Sequence, residues 1–196
     1  MNFERWRHYA RGWLFHFFGR EERAFDEFAE AFRRDPTNVQ AARHLAFLAS
    51  QKKRHDVAEK WFLTVVDLVP DDADTYFNLG YVREQMGKPD DAIAAFGEAT
   101  RLKPSLDRAW YGLGLARAAL GQHAQAIPPF EEATKLQPMN AIAWYQLGMA
   151  CHKAGEADRV RITVEKLVEF DPKMARQLVR DSGRDDLAKL IPELPF

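Results

Sequence analysis

Five prolines recur at a fixed interval along the chain, and this interval limits the fold more than any other feature of the sequence. Each lies 34 residues after the one before, at Pro36, Pro70, Pro104, Pro138 and Pro172. A fixed period of about 20 to 50 residues is typical of repeat proteins, in which each unit buries its apolar face against its neighbours. We therefore divide the chain into five repeats, with positions numbered from 1 in each: 5–38, 39–72, 73–106, 107–140 and 141–174.

Two columns of this alignment predict how the repeats pack. Position 8 holds small residues: Gly12, Ala46, Gly80, Gly114 and Gly148. Position 24 holds Phe28, Phe62, Phe96, Phe130 and Val164. Small residues let helix backbones approach, and the large residue fills the space beside them. The Gly-x-Gly at 112–114 is therefore predicted to serve packing rather than to cradle a phosphate, since no apolar strand precedes it.

Each repeat shows helical periodicity twice. In repeat three, apolar residues are spaced three and four apart, first around Leu79 and then around Phe96. The segment MGKPD at 86–90 separates the two runs, and Pro89 suits a first helical turn. The pattern predicts five helix hairpins.

These columns resemble the tetratricopeptide repeat family. Repeat four carries the most complete signature: Trp110, Leu113, Gly114, Ala126, Phe130, Ala133 and Pro138. The resemblance covers 5–174 and implies an all-α, right-handed superhelical solenoid of five hairpins, with residues 1–196 forming a single domain. Residues 175–196 are too few for a sixth repeat and predict a C-terminal cap, with a helix ended near Gly183 and a short second helix.

Two adjacent prolines conflict with this pattern. Pro128 and Pro129 fall inside the second helix of repeat four, where each removes a backbone donor. We expect a late start or a kink near 124–129, or else both prolines within a tolerated first turn.

The resemblance also implies which residues line a concave groove. Positions 5 and 9 lie one helical turn apart and are largely aromatic or apolar. The predicted groove residues are Arg43, Phe47, Phe77, Asn78, Tyr81, Arg108, Tyr111, Leu115, Tyr145 and Met149. We expect an apolar peptide or an amphipathic helix of a partner protein to bind there. Alternatively, curvature or the chain's own ends bury these side chains.

A second binding mode involves the polar members of this set. Arg43, Asn78 and Arg108 resemble part of a clamp for a peptide's terminal carboxylate. The match is incomplete, because Phe47 and Gly112 occupy the places of the other members.

The first helix carries more aromatic residues than one face can bury. Phe15 and Phe18 are predicted to be core residues, whereas Trp6, Trp13 and Phe17 are candidates for self-association. Contact with a membrane is less favoured, because the flanking charges are balanced and form no basic face.

Composition and spacing argue against other functions. The net charge of −1 gives no bulk attraction to nucleic acid. The histidines are not spaced as metal ligands, and the single Cys151 is predicted to be a buried thiol. We therefore expect no enzyme activity, no cofactor and no metal, in a cytoplasmic protein without a signal peptide. The predicted function is a protein-binding scaffold or adaptor, and the alternative is a structural unit that oligomerises through its N-terminal helix.

Overall fold

The computed structural model describes the backbone of residues 3–192 and the side chains of residues 6–192. Every regular element in this part of the chain is helical, and consecutive helices pair into five hairpins. The all-α class and the hairpins predicted from the sequence are thus confirmed. The α-helices, α1 to α11 in order, are Phe3–Phe17, Glu21–Arg34, Val39–Gln51, His55–Leu68, Ala73–Gln85, Pro89–Leu102, Asp107–Ala119, His123–Leu136, Ala141–Lys153, Ala157–Phe170 and Pro172–Asp181, and a 3₁₀ helix spans Asp185–Leu190.

The chain forms two compact units, Met1–Leu102 and Lys103–Phe196. The first contains three hairpins, in which α2 packs on α3 and α4 on α5. The second contains two hairpins, the C-terminal helix α11 and the 3₁₀ helix. The single domain over 1–196 stays a prediction.

Helix boundaries follow the repeat closely. From α3 to α9 each first helix begins at position 1, and every second helix begins at position 17. Side chains of Asn38, Asp72 and Asn140 accept hydrogen bonds from the third residue of the following helix, which satisfies a free backbone amide. The same start signal thus recurs in repeats two, three and five, whereas α7 of repeat four follows Leu106 and has no side-chain cap.

The packing columns meet in the first, third and fourth hairpins as the sequence predicts. A Cβ atom on Gly12 would lie 2.8 Å from the Phe28 ring, and one on Gly80 would lie 2.7 Å from the Phe96 ring. These glycines are therefore required by close packing of position 24 on position 8. In repeat five, where Val164 replaces the phenylalanine, Gly148 faces Leu178 of α11 instead.

The two adjacent prolines lie well inside α8. This helix starts at His123, like its counterparts, and Pro128 and Pro129 follow its first turn. Both the late start and the first-turn placement were therefore wrong, and the kink near 124–129 stays a prediction. Pro129 is buried beside Phe130, so the ring contributes to the core of its unit.

The ends of the chain differ partly from expectation. Helix α11 stops before Gly183, which has a φ of +64°, and the 3₁₀ helix follows it, as predicted. Residues 193–196 of the predicted cap lie outside the described residues. Phe15 packs against the core, but the prediction for Phe18 was wrong, because its side chain is 65% exposed. Phe18 lies just beyond the end of α1.

Across the described helices, none is long and apolar enough to cross a membrane.

Candidate functional site

A cavity of about 950 Å³ lies within the first unit, along the helices α1, α3 and α5. Five of the predicted groove residues line it: Arg43, Phe47, Phe77, Asn78 and Tyr81. Such a volume is in the range of ligand sites in proteins. Five of the side chains that meet at this cavity were thus among those predicted from the sequence, and their role in binding stays a prediction.

Aromatic side chains at position 9 form an exposed stripe in the first unit. Trp13, Phe47 and Tyr81 are 51%, 48% and 45% exposed, one on each first helix. Large apolar side chains left half in water are expected where a partner covers them. We call these three residues the aromatic stripe.

Position 5 has a different role. The rings of Tyr9 and Phe77 lie 5.6 and 5.9 Å from the rings of Phe28 and Phe96, the position 24 residues of the same repeats. Such edge contacts are typical of aromatic pairs in a core. Position 5 is thus occupied mainly in packing, even where it borders the cavity.

Arg43 is held by an internal ion pair. Its Nη2 lies 2.7 Å from Oδ2 of Asp72, which also accepts a hydrogen bond from the Thr75 hydroxyl at 2.6 Å. Burial raises the pKa of Asp72, but the bonds from Thr75 and the charge of Arg43 outweigh it and leave the pKa below its ordinary value. Arg43 is therefore paired with a carboxylate of the chain itself.

The proposed carboxylate clamp is not assembled within one unit. Arg43 and Asn78 line the cavity of the first unit, whereas Arg108 is an exposed residue of the second.

A histidine that sequence reasoning did not select lies at the base of this cavity. The His44 ring stacks on Phe28 at 4.4 Å, and its Nε2 lies 3.2 Å from the Tyr9 hydroxyl. Burial lowers the pKa of His44, and the nearby His16 lowers it further. His44 is at position 6, like the predicted groove residue Asn78, and this shared position was the available signal.

Ionisable side chains line both ends of the cavity. His16, Lys53 and His55 lie where α1 and α3 end and α4 begins. Asp72 and Asp74 lie where α5 begins.

In the second unit the predicted groove residues are less accessible. Tyr111, Leu115, Tyr145 and Met149 are half-buried against the core of that unit. The Tyr145 hydroxyl donates a hydrogen bond of 2.8 Å to Asp181 of α11, so the chain's own C-terminal helix engages it. Among the ten predicted groove residues, those of the first unit are thus the ones that line a large cavity.

The candidates for self-association, which include Trp13 of the aromatic stripe, and Cys151 do not line the cavity. Trp13 and Phe17 stack on the surface of α1 with ring centroids 5.7 Å apart, and Trp6 is 61% exposed. Cys151 is fully buried, and burial raises the pKa of its thiol to about 11. Within the described residues, no three His, Cys, Asp or Glu side chains are grouped as metal ligands.

Comparison with known proteins supports the repeat assignment. Models described as tetratricopeptide repeats match residues 77–135, 118–175 and 38–105. No curated protein matches the chain in sequence.

Solved structures of similar fold include three named proteins. The crystal structure of MamA is 21% identical, with a TM-score of 0.79 over 100% of both chains. YrrB, described as a TPR protein with an unusual peptide-binding site, is 19% identical, with a TM-score of 0.77 over 88% of this chain and 90% of its own. PilF of Pseudomonas aeruginosa is 19% identical, with a TM-score of 0.68 over 95% of this chain and 88% of its own. At these identities the likeness concerns the fold.

Proposed function

Because the chain belongs to the tetratricopeptide repeat family, we propose that it is a non-catalytic adaptor that binds a peptide segment of a partner protein in the cavity of its first unit. The observation that carries this proposal is the aromatic stripe, which leaves three half-exposed rings, two of which, Phe47 and Tyr81, line a cavity of about 950 Å³. Covering these rings removes apolar surface from water, which favours binding. The peptide-binding site named for YrrB adds support by likeness of fold. The cytoplasmic location expected from the sequence is part of this proposal.

The cavity supplies both anchoring surface and polar groups. Phe47 and Tyr81 offer rings for apolar side chains, and Asn78 offers donors and an acceptor for a peptide backbone. Arg43 is already bonded to Asp72, so anchoring on the rings is favoured over capture of a terminal carboxylate.

The test compares two double variants of the full chain. Peptides are selected by display against the native protein and their affinities are measured by fluorescence anisotropy. Phe47→Glu with Tyr81→Glu should weaken binding at least about tenfold, since a tenfold change corresponds to about 1.4 kcal/mol. Helical content by circular dichroism should persist, because both side chains are about half exposed.

The matched control makes the same change at exposed apolar residues outside this cavity. Leu63 and Ile162 are 39% and 54% exposed and do not line it. Leu63→Glu with Ile162→Glu should leave the affinity unchanged. Equal affinity of the native protein and the Phe47/Tyr81 variant would refute the proposed function.

We propose self-association through α1 as the second candidate. It rests on the exposed aromatic residues of this helix, in which Trp13 stacks on Phe17 and Trp6 lies 61% exposed. Exposed aromatic clusters are enriched at protein interfaces. Light scattering over a range of protein concentrations should then show a larger species that Trp6→Ser with Phe17→Ser removes. A native chain that stays monomeric at every concentration would exclude this candidate.

A further inference from the structure

Lys53 adopts a backbone conformation that the other repeats reserve for glycine. It occupies position 15, in the turn after the first helix, and its φ is +56°. The same position holds Gly19, Gly87, Gly121 and Gly155, with φ between +68° and +81°. A side chain in this region strains the backbone, and strain of this kind is often found at functional sites. A lysine at this turn therefore suggests that its side chain has a use.

The residues on either side of Lys53 are engaged in ion pairs. Lys52 Nζ lies 2.7 Å from Glu21, and Arg54 lies 3.8 Å from Glu22. Lys53 lines the cavity instead, and in the described part of the chain its ammonium group has no carboxylate partner. Lys52 and Arg54 thus link the first two hairpins, whereas Lys53 between them lines the cavity.

Two histidines line the same end of the cavity as Lys53. His16 lies in the last turn of α1 and His55 begins α4, and both line the cavity with Lys53. The acidic groups Asp72 and Asp74 lie at the start of α5, and Asp72 is bonded to Arg43. The Lys53 side chain is therefore at the end of the cavity where α1 and α3 end, and not at the start of α5.

We propose that the cavity selects an acidic peptide segment, with a carboxylate of the ligand bound by Lys53. This inference rests on the proposed function and adds the chemistry of the ligand. The ammonium group has three donors for a carboxylate, and a charge-assisted hydrogen bond is stronger than a neutral one. Phe47 lies on α3, the helix that precedes this turn. An apolar ligand residue beside the acidic one therefore contacts the aromatic stripe.

The test uses three labelled synthetic peptides and fluorescence anisotropy with the full chain. One peptide carries two adjacent glutamates followed by leucine and phenylalanine, the second has glutamines in their place, and the third has lysines. We expect the acidic peptide to bind about three- to tenfold more tightly than the glutamine peptide at low salt, and the difference to shrink as salt is added. The lysine peptide should bind most weakly.

Two variants locate the effect. Lys53→Gly should abolish the preference for glutamate over glutamine, and it should not unfold the chain, because glycine suits the positive φ. Lys60→Gln, which removes the same charge from an exposed residue of α4 outside this cavity, should retain the preference.

The outcomes separate this inference from the proposed function. The glutamate and glutamine peptides could bind equally well while their binding is still weakened by Phe47→Glu and Tyr81→Glu. That result would overturn the preference for acidic peptides and leave the cavity as a peptide site. A preference that survives Lys53→Gly would overturn the role of Lys53. Binding that does not respond to Phe47→Glu and Tyr81→Glu would overturn the proposed function itself.

Discussion

Gly114 and Phe130 are in such close contact that a Cβ atom on the glycine would lie 2.6 Å from the phenylalanine ring. The same contact joins Gly12 to Phe28 and Gly80 to Phe96. Repeat two has Ala46 in place of the glycine, and there Phe62 borders the cavity and is 5% exposed. A methyl group at this position takes space that the ring fills elsewhere.

Gly114→Ala should therefore destabilise the protein, although alanine is the better helix former. The Phe130 ring is fully buried and has little room to move, so we expect a loss of about 1–3 kcal/mol in the free energy of unfolding. Urea denaturation followed by circular dichroism measures it. Gly97→Ala is the control, because its Cβ would meet nothing within 4 Å, and it should stabilise by about 0.5–1 kcal/mol. Equal stability of the two variants would contradict the packing argument.

Lys53 and Gly87 allow a reciprocal test of backbone strain. Both have positive φ, +56° and +68°, at the same position of adjacent repeats. Lys53→Gly should stabilise the protein by about 1 kcal/mol, and Gly87→Lys should destabilise it by a similar amount. A Cβ atom on Gly87 meets nothing within 4 Å, so steric contact does not confuse the comparison. Thermal unfolding of both variants at one pH measures the two changes in stability. Two changes of the same sign would refute the proposed backbone strain.

The Cys151 thiol should make stability fall at high pH. Burial raises its pKa to about 11 from an ordinary value of 9.0, so between these values the unfolded chain binds fewer protons than the folded chain. The stabilisation is thus complete below pH 9 and is lost as the pH rises toward 11. Urea midpoints measured at pH 7 and pH 10 should differ more for the native chain than for Cys151→Ala. A thiol that reacts as fast in the folded chain as in urea would contradict this burial.

Asp72 should contribute stability that is lost in acid. Its folded pKa lies below the ordinary value of 3.8, because Thr75 and Arg43 favour the carboxylate more than burial opposes it. The contribution is therefore present above pH 3.8 and falls as the pH drops through the lower, folded pKa. Asp72→Ala should cost about 1 kcal/mol near neutral pH through loss of the helix cap.

Asp72→Asn separates the effect of the helix-capping hydrogen bond from that of the carboxylate charge. The amide oxygen can still accept from the Thr75 backbone amide, but it no longer neutralises Arg43. The unfolding midpoint of the Asp72→Asn variant should change less between pH 5 and about pH 3 than that of the native chain, because the variant lacks the titrating carboxylate. Parallel acid dependence of the two proteins would show that Asp72 has no such role.

The element pattern was available from the sequence because its causes are local or repeated. Helical spacing of apolar residues, the caps at Asn38 and Asn140 and the turn glycines act within a few residues of one another. The column of small residues opposite the column of phenylalanines also recurs at a fixed interval, so one hairpin predicts the next. Pro128 and Pro129 were misjudged because the packed helix tolerates two missing backbone donors past its first turn.

The sequence by itself determined the helices, their pairing and the column of side chains at position 9. Only the tertiary structure decided which of those side chains reach solvent: Trp13, Phe47 and Tyr81 are half exposed, whereas Leu115 and Met149 pack against a core that includes α11. It also paired Arg43 with Asp72, 29 residues away, and left Lys53 facing the cavity. The physical reason is that exposure and ion pairing depend on neighbours far along the chain, while helix formation depends on residues within a turn or two.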